Sequence, residues 1–302
     1  MANVVSRGDL FSASLQKELF NKVKGHSSLA KLSGQEPIPF NGTKQFTFSL
    51  DKEVDIVAEN GAKSNGGATV TPVSIVPIKI EYGARVSDEF MYASDEEAIN
   101  MLSSWADGFS KKVARGLDIM AMHGINPRTK LAATTTIGNN YFGAQITGAN
   151  VISFTAGTDA ADDVLDEATT AVTNSEYAVT GVAMAPAFAS ALAKIKANGQ
   201  NLYPEFRFGQ NPNSFAGMGS DVNNTVSFNN SGDLAIVGDF ANAFKWGIAK
   251  EIPLKVIEYG NPDNDAEAGD LQGHNQVYLR SEVYIGWGIL DPAAFALVKA
   301  GE

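Results

Sequence analysis

SDEEAINMLSSWADGFSKKVARGLDIMAMH, Ser94 to His123, is the stretch around which the rest of the chain is read. Ser94 suits an N-cap, and Asp95, Glu96 and Glu97 place negative charge in the first turn, where the helix dipole favours it. Ile99, Leu102, Ala106, Phe109, Val113, Leu117 and Met120 recur at steps of three and four, which writes one apolar stripe along a helix. Lys111, Lys112 and Arg115 bring positive charge to the C-terminal half, and Gly124 stops the helix. About 30 residues at 1.5 Å each make a rod of roughly 45 Å, more than a compact domain of this size needs. The expected subunit is elongated and built on this spine.

Upstream, the period changes from helical to two. Phe46, Phe48 and Leu50 alternate with Gln45, Thr47 and Ser49, Val54 and Ile56 follow, and Ile78, Ile80 and Tyr82 alternate with Lys79 and Glu81. Glu59 to Thr69 between them is rich in Asn, Gly, Ala and Ser and contains Lys63. The pattern predicts a long hairpin over Thr43–Tyr82 with a flexible tip, its far side running through Pro72 and Pro77 to the alternation of Ile78, Ile80 and Tyr82. Pro72 and Pro77 each remove a ladder donor, so the returning strand is not central throughout. A two-stranded ribbon alone is marginal in water, so it folds back on its own domain or lies on another subunit. Before it, Leu10, Phe11, Leu15, Leu19 and Val23 mark a short amphipathic helix. Ser27 to Gly42 reads as an extended arm that reaches a neighbour, the alternative being a helix packed on its own domain followed by a loop.

Downstream, Arg85 to Ala93 links hairpin to spine, and Asn126 to Thr158 reads as loops, with surface turns around Tyr141. An α+β unit spans about Asp159 to Asn261. Its helix begins with Asp162, Asp163, Asp166 and Glu167, read as dipole-favoured acids rather than an acid–base pair. Val179–Ala185 is a buried-type strand, Pro186 opens a helix to Lys196, and Asn198–Asn230 is a long polar segment. Leu234–Val237, Trp246–Ala249 and Leu254–Ile257 are strands. Asn261–Gly273 carries Asp263, Asp265, Glu267 and Asp270 without the EF-hand spacing, and reads as a solvated loop rather than a calcium site. Val277–Leu290 is a strand, and Ala293–Val298 ends the chain in a short apolar element.

Composition narrows the function. The 302 residues contain no Cys, which removes disulfides, thiolate metal sites and Cys nucleophiles, and only His26, His123 and His274 offer imidazole. The net charge of −11 argues against a protein that grips nucleic acid by its phosphates. No stretch of about 20 apolar residues suits a membrane span, and Met1–Leu10 lacks a signal peptide's apolar region. A cytosolic product is expected. There is no Gly-x-Ser-x-Gly elbow, phosphate loop or His-Glu-x-x-His, and Gly217-Met218-Gly219 stands without a dinucleotide-binding context. No catalytic residue, cofactor or metal is assigned.

The order of parts, over essentially the whole chain, resembles the tailed-bacteriophage major capsid protein, the Hong Kong ninety-seven capsid fold. Four segments carry the resemblance: Ile56-Val57-Ala58-Glu59-Asn60-Gly61 entering the hairpin tip, Ile80-Glu81-Tyr82-Gly83-Ala84-Arg85-Val86-Ser87-Asp88-Glu89 leaving it, Ala235-Ile236-Val237-Gly238-Asp239-Phe240, and Leu279-Arg280-Ser281-Glu282 with Asp291-Pro292-Ala293-Ala294-Phe295. The resemblance implies an α+β capsid fold with an N-terminal arm (1–42), an extended hairpin loop (43–82), a peripheral domain (83–158 and 262–302, spine 94–123) and an axial domain (159–261).

It also implies self-assembly through pentamers and hexamers into an icosahedral shell around DNA that is enclosed without specific binding. Assembly would occur in the host cytoplasm, with portal and decoration proteins as partners. Met1 at the arm points to a separate scaffolding protein rather than a cleaved prefix. Phe46, Phe48, Val54, Ile56, Glu59, Lys63, Ile78, Ile80, Tyr82 and Arg85 would then contact neighbouring subunits, while Ile99, Leu102, Phe109, Val113 and Leu117 pack the spine. Some family members crosslink a hairpin Lys to a neighbour's Asn; Lys63 is near the tip, with no partner assignable. The rival readings are an encapsulin-type nanocompartment shell and a soluble α+β binding or enzymatic domain.

Overall fold

The computed structural model describes residues 27–88 and 95–301. The expected helix over Leu10–Val23, His26, the Ser94 cap and the Ile99 side chain lie outside the described residues. In chain order the elements are α1 (Ser28–Leu32), β1 (Thr43–Leu50), β2 (Ala68–Ile75), β3 (Ile78–Ser87), α2 (Asp95–His123), α3 (Thr134–Ile137), α4 (Phe142–Gln145), β4 (Val151–Phe154), α5 (Ala161–Asn174), β5 (Gly181–Met184), α6 (Pro186–Lys194), β6 (Lys196–Ala197), β7 (Gln200–Asn201), β8 (Ser214–Phe215), β9 (Met218–Val222), β10 (Asp233–Gly238), β11 (Phe244–Ile257), β12 (Gln276–Ile289) and β13 (Phe295–Ala300).

The spine forms as its stripe requires. Leu102 packs with Val277 and Leu279 of β12, and Phe109 and Val113 pack with Val283. Leu117 reaches the main core. Gly124, in the left-handed region at φ +66°, donates its N–H to the Met120 carbonyl and closes the helix. The spine lies against a three-stranded antiparallel sheet ordered β11-β12-β3. Alternate β12 residues face it, which is the period-two signature of one covered face.

The second sheet is six-stranded and mixed, ordered β4-β13-β10-β5-β9-β8, with β13–β4 and β5–β9 parallel. Val182, Met184, Ala235, Val237, Ala296 and Val298 point to one face, where Val164, Leu165, Ala168 and Val172 of α5 and Phe188 and Leu192 of α6 cover them. Ala183, Ile236 and Leu297 point to the other, into the core shared with the end of the spine. Covered on both faces, these strands read as continuous apolar runs. Phe142, Phe240, Phe244 and Phe295 join the two sheets, with ring centroids 4.9–6.1 Å apart.

Several sequence expectations are corrected. The strand returning from the hairpin is Ala68–Ile75, paired from Thr43↔Ile75 to Leu50↔Ala68. Ile78–Ser87 instead pairs with β12. Trp246–Ala249 and Leu254–Ile257 belong to one strand, β11, whose register slips between Ile248 and Lys250 and again between Ile252 and Lys255; those bulges made it read as two. Sheet membership also crosses the 159–261 segment: β4 and β13, outside it, join the six-stranded sheet, while β11 pairs with β12 in the other. The 126–158 region is not only surface turns, since Phe142 is fully buried.

The arm is also corrected over residues 27–38, which pack on their own chain. Ser27, Ser28, Leu29, Ala30 and Ile38 are buried. The anchor is Asp118 on the spine, itself fully buried. It accepts five hydrogen bonds: from the Ser27 hydroxyl, the Ser28 N–H at 3.0 Å, the Leu29 N–H at 3.2 Å, Thr225 Oγ1 at 2.8 Å and Asn223 Nδ2 at 3.4 Å. Burial pushes its carboxyl up to about 6, against the pull of those donors. One carboxylate thus ties the arm, the spine and the 223–225 loop together.

Replacing Asp118 by Ala strands buried donors, two of them backbone N–H groups that cannot turn away. Asp118→Ala is expected to cost about 3–5 kcal/mol in chemical denaturation and to release residues 27–38, read as lost amide protection at Ser28 and Leu29. Asp118→Asn is expected to fail too, because its amide N–H₂ would face donors; full stability of either variant would contradict the anchor.

Glu251 supplies a pH test. It stands opposite Val283 and so shares the face toward Phe109 and Val113. Burial alone pushes its carboxyl up to about 7. A carboxyl raised on folding contributes stability below its unfolded pKa, near 4.5, and loses it as the pH rises through about 7. Glu251→Gln is therefore expected to match the parent near pH 4 and exceed it by about 1–2 kcal/mol at pH 8, in paired thermal melts. Equal stability at pH 8 would rule this out.

Candidate inter-subunit surface

The ribbon β1–β2 is the part of the described chain whose amphipathicity is inverted. Register places Phe46 opposite Pro72, Phe48 opposite Val70 and Leu50 opposite Ala68, so these six residues share one face. That face is open to solvent: Phe46 is 66%, Phe48 64%, Leu50 70% and Val70 56% exposed. Gln45 and Thr47, on the polar face, are the more covered. Beyond the strands Val54 and Ile56 are almost wholly exposed, at 95% and 97%. Pro72 is tolerated because each strand of a two-stranded ribbon is an edge.

Local hydrogen bonds shape the tip. Asp51 donates its N–H to the Gly67 carbonyl at 3.1 Å and accepts the Gly67 N–H on its carboxylate at 2.5 Å. Lys52 Nζ donates to the Asn65 carbonyl at 2.8 Å. A turn closes at Gly61, whose N–H donates to the Ala58 carbonyl, with Asn60 in the left-handed region. Glu59 and Lys63 are exposed on this tip.

The root of the ribbon is fixed. Ile75 is 1% exposed and seats with Ile38 over two glycines of β12. A Cβ on Gly288 would stand 2.8 Å from Ile75 Cγ1, and one on Gly286 would stand 3.2 Å from Ile75 Cγ2. The glycines are there to admit the isoleucine. Phe40 packs edge-on against Tyr284 at 4.9 Å beside the same root.

The remaining residues expected at subunit contacts are engaged within the chain. Ile78 and Ile80 pack against the core. Tyr82 meets Trp105 of the spine at 5.5 Å and lies under the Arg128 guanidinium at 5.6 Å. Arg85 is the centre of the acidic loop. It grips Asp263 through Nε at 2.8 Å and Nη2 at 2.6 Å, and donates to Asn261 Oδ1 and to the Ala268 and Gly269 carbonyls. The pair holds the Asp263 carboxyl down at about 2. Asp265 and Asp270 accept nearby backbone N–H groups of their own turns. The alternating acids therefore order a loop around an arginine. Among the described residues no group of three or more His, Asp or Glu side chains is placed to hold a metal ion, and no helix is long and apolar enough to cross a membrane.

Sequence reasoning missed Asp118 and Ile75. A lone acid inside the apolar run Leu117–Met122 was the available signal for the first; for the second, nothing local separates Ile75 from its exposed neighbours.

Comparison with known proteins agrees with this architecture. The model of the phage capsid family matches residues 8–300. A solved chain from Mycobacterium phage Ogopogo is 33% identical, with a TM-score of 0.76, covering 91% of this chain and 92% of that one. One from Gordonia phage Cozz is 27% identical, with a TM-score of 0.73 over 91% and 87% of the two chains. The capsid of a native GTA particle, solved with C5 symmetry, shares the fold at 16% identity and a TM-score of 0.64, covering 91% of this chain and 90% of that one. Among curated proteins no sequence matches.

Gly288→Val is expected to unseat Ile75, lower stability by about 1–3 kcal/mol and open the ribbon root to protease. Unchanged stability and cleavage would show that the root is not held there.

Proposed function

The chain belongs to the phage capsid family and builds the shell of the virion, and from that premise we propose how its surfaces serve assembly. The β1–β2 ribbon lays its apolar face on an adjacent subunit. The observation that carries this is the exposure of Phe46, Phe48, Leu50 and Val70 on one face of a ribbon whose root is anchored. Fully burying a Phe or Leu side chain contributes about 1.5–3 kcal/mol, so this face supplies a substantial contact once covered. The contact is heterologous, ribbon on a different surface, and such contacts propagate until they close.

The lobe around the six-stranded sheet is the axial domain, placed at the five- and six-fold axes. The spine with the three-stranded sheet is the peripheral domain. These boundaries follow sheet membership, so β4 and β13 go with the axial lobe and β11 with the peripheral one. Pentamers and hexamers assemble in the host cytoplasm. Portal and decoration proteins complete the particle. DNA is enclosed without specific contacts, in keeping with a net charge of −11. Lys63 stays a solvated tip residue in this reading.

Phe46→Ser with Phe48→Ser changes side chains that are largely exposed in the subunit. The double variant is expected to melt within about 1 kcal/mol of the parent but to form few or no particles in electron microscopy. Normal particles with parental heat resistance would remove the ribbon from the assembly contact.

A further inference from the structure

We propose that the six-stranded lobe carries a two-sided contact of opposite charge, and that a second copy of this chain occupies it head to tail. The proposal rests on the shell reading above and specifies which surfaces meet.

The segment from Asn201 to Asn211 lines two grooves. One, of about 680 Å³, lies between this segment and α6, and its charged lining is Lys194, Lys196 and Arg207. The other, of about 760 Å³, lies between the segment and α5, and its charged lining is Asp162, Asp163, Asp166 and Glu205. Neither groove contains a charge of the other sign. None of these seven residues forms an ion pair with another described residue.

On the basic rim stands Phe208, 90% exposed, with the Arg207 guanidinium 5.0 Å from its ring centroid. Its backbone is in the left-handed region at φ +58°, which costs a non-glycine residue on the order of 1–2 kcal/mol. Among the described residues, the Arg207 guanidinium is the partner recorded for this strained, 90% exposed aromatic. The acidic groove offers what the knob and its cations lack: the apolar Leu202, Phe215 and Met218 between carboxylates.

Charge decides among the possible occupants. A two-fold pairing that set each groove on the other would use both at once and stop at a dimer, which cannot extend into a shell. A nucleic acid would be repelled by the acidic groove that shares the segment. A second copy placed head to tail satisfies both grooves and leaves one of each free, so the contact repeats until the ring closes. The charges fix register, while Phe208 supplies the buried area.

The chain has no cysteine, so pairing is read directly. Phe208→Cys and Asp163→Cys in one chain, oxidised in assembled particles, are expected to give covalent ladders from dimers up to whole rings. Either substitution alone is expected to give monomers. Lys194→Glu with Arg207→Glu is expected to lower particle yield about tenfold, and adding Asp163→Lys with Asp166→Lys to the same chain is expected to restore it. Dimers from Phe208→Cys alone, no ladder from the double-cysteine particles, or parental yield of the Lys194/Arg207 variant would each overturn the pairing. So would a Lys194/Arg207 variant that assembles normally but encloses less DNA, which would place nucleic acid on the basic groove. Failure of the parent chain to form particles would overturn the shell reading along with it.

Discussion

A two-stranded ribbon cannot bury both of its faces, and this one turns its apolar face outward. Phe46, Phe48, Leu50, Val70 and Ala68 stand with Pro72 on the solvent side of β1–β2. A soluble monomer gains nothing from that arrangement, because exposed apolar area is the driving force for association. Much of the remaining architecture serves to hold this face open. If the ribbon were free at its root it could collapse onto its own sheet, and the surface would be lost to the neighbour.

The root is held by close approach and by one buried charge. Ile75 and Ile38 sit where Gly286 and Gly288 leave room, so the ribbon leaves β12 at a fixed place. Ile38 belongs to a segment that Asp118 secures from the spine. Burying a carboxylate without a cation is costly, and the five donors around Asp118 are what offset it. The phenylalanine cluster of Phe142, Phe240, Phe244 and Phe295 then joins the sheet carrying the ribbon to the sheet carrying the two grooves. The ribbon root and the lobe that carries the grooves are therefore parts of one packed subunit.

Much of this was legible in the sequence where a pattern is local. The spine was written in the spacing from Leu102 to Met120, and the first ribbon strand in the alternation from Phe46 to Leu50. Pairing was not legible. Alternation marks a strand but does not name its partner, so Ile78–Tyr82 was read as continuing the far side of the hairpin rather than as a strand on β12. The true return, Ala68–Ile75, is masked by Pro72 and by its threonines. Asp118 escaped because its partners lie about 90 to 107 residues away. What orders the acidic loop was hidden for the same reason: Asp263 is held by Arg85, 178 residues away.

Phe208 and the unpaired charges of the six-stranded lobe fit the same pattern. They break local expectation in a lobe that is otherwise consistently packed, and such breaks collect where a surface works with another molecule. The most direct measurement is electron cryomicroscopy of assembled particles, at a resolution that shows side chains. The account predicts that the Phe46, Phe48 and Leu50 face of each ribbon lies covered against an adjacent copy, with the Ile75 root unchanged from the free subunit. A map in which that face lies on its own chain, or stands open to solvent in the finished shell, would contradict it.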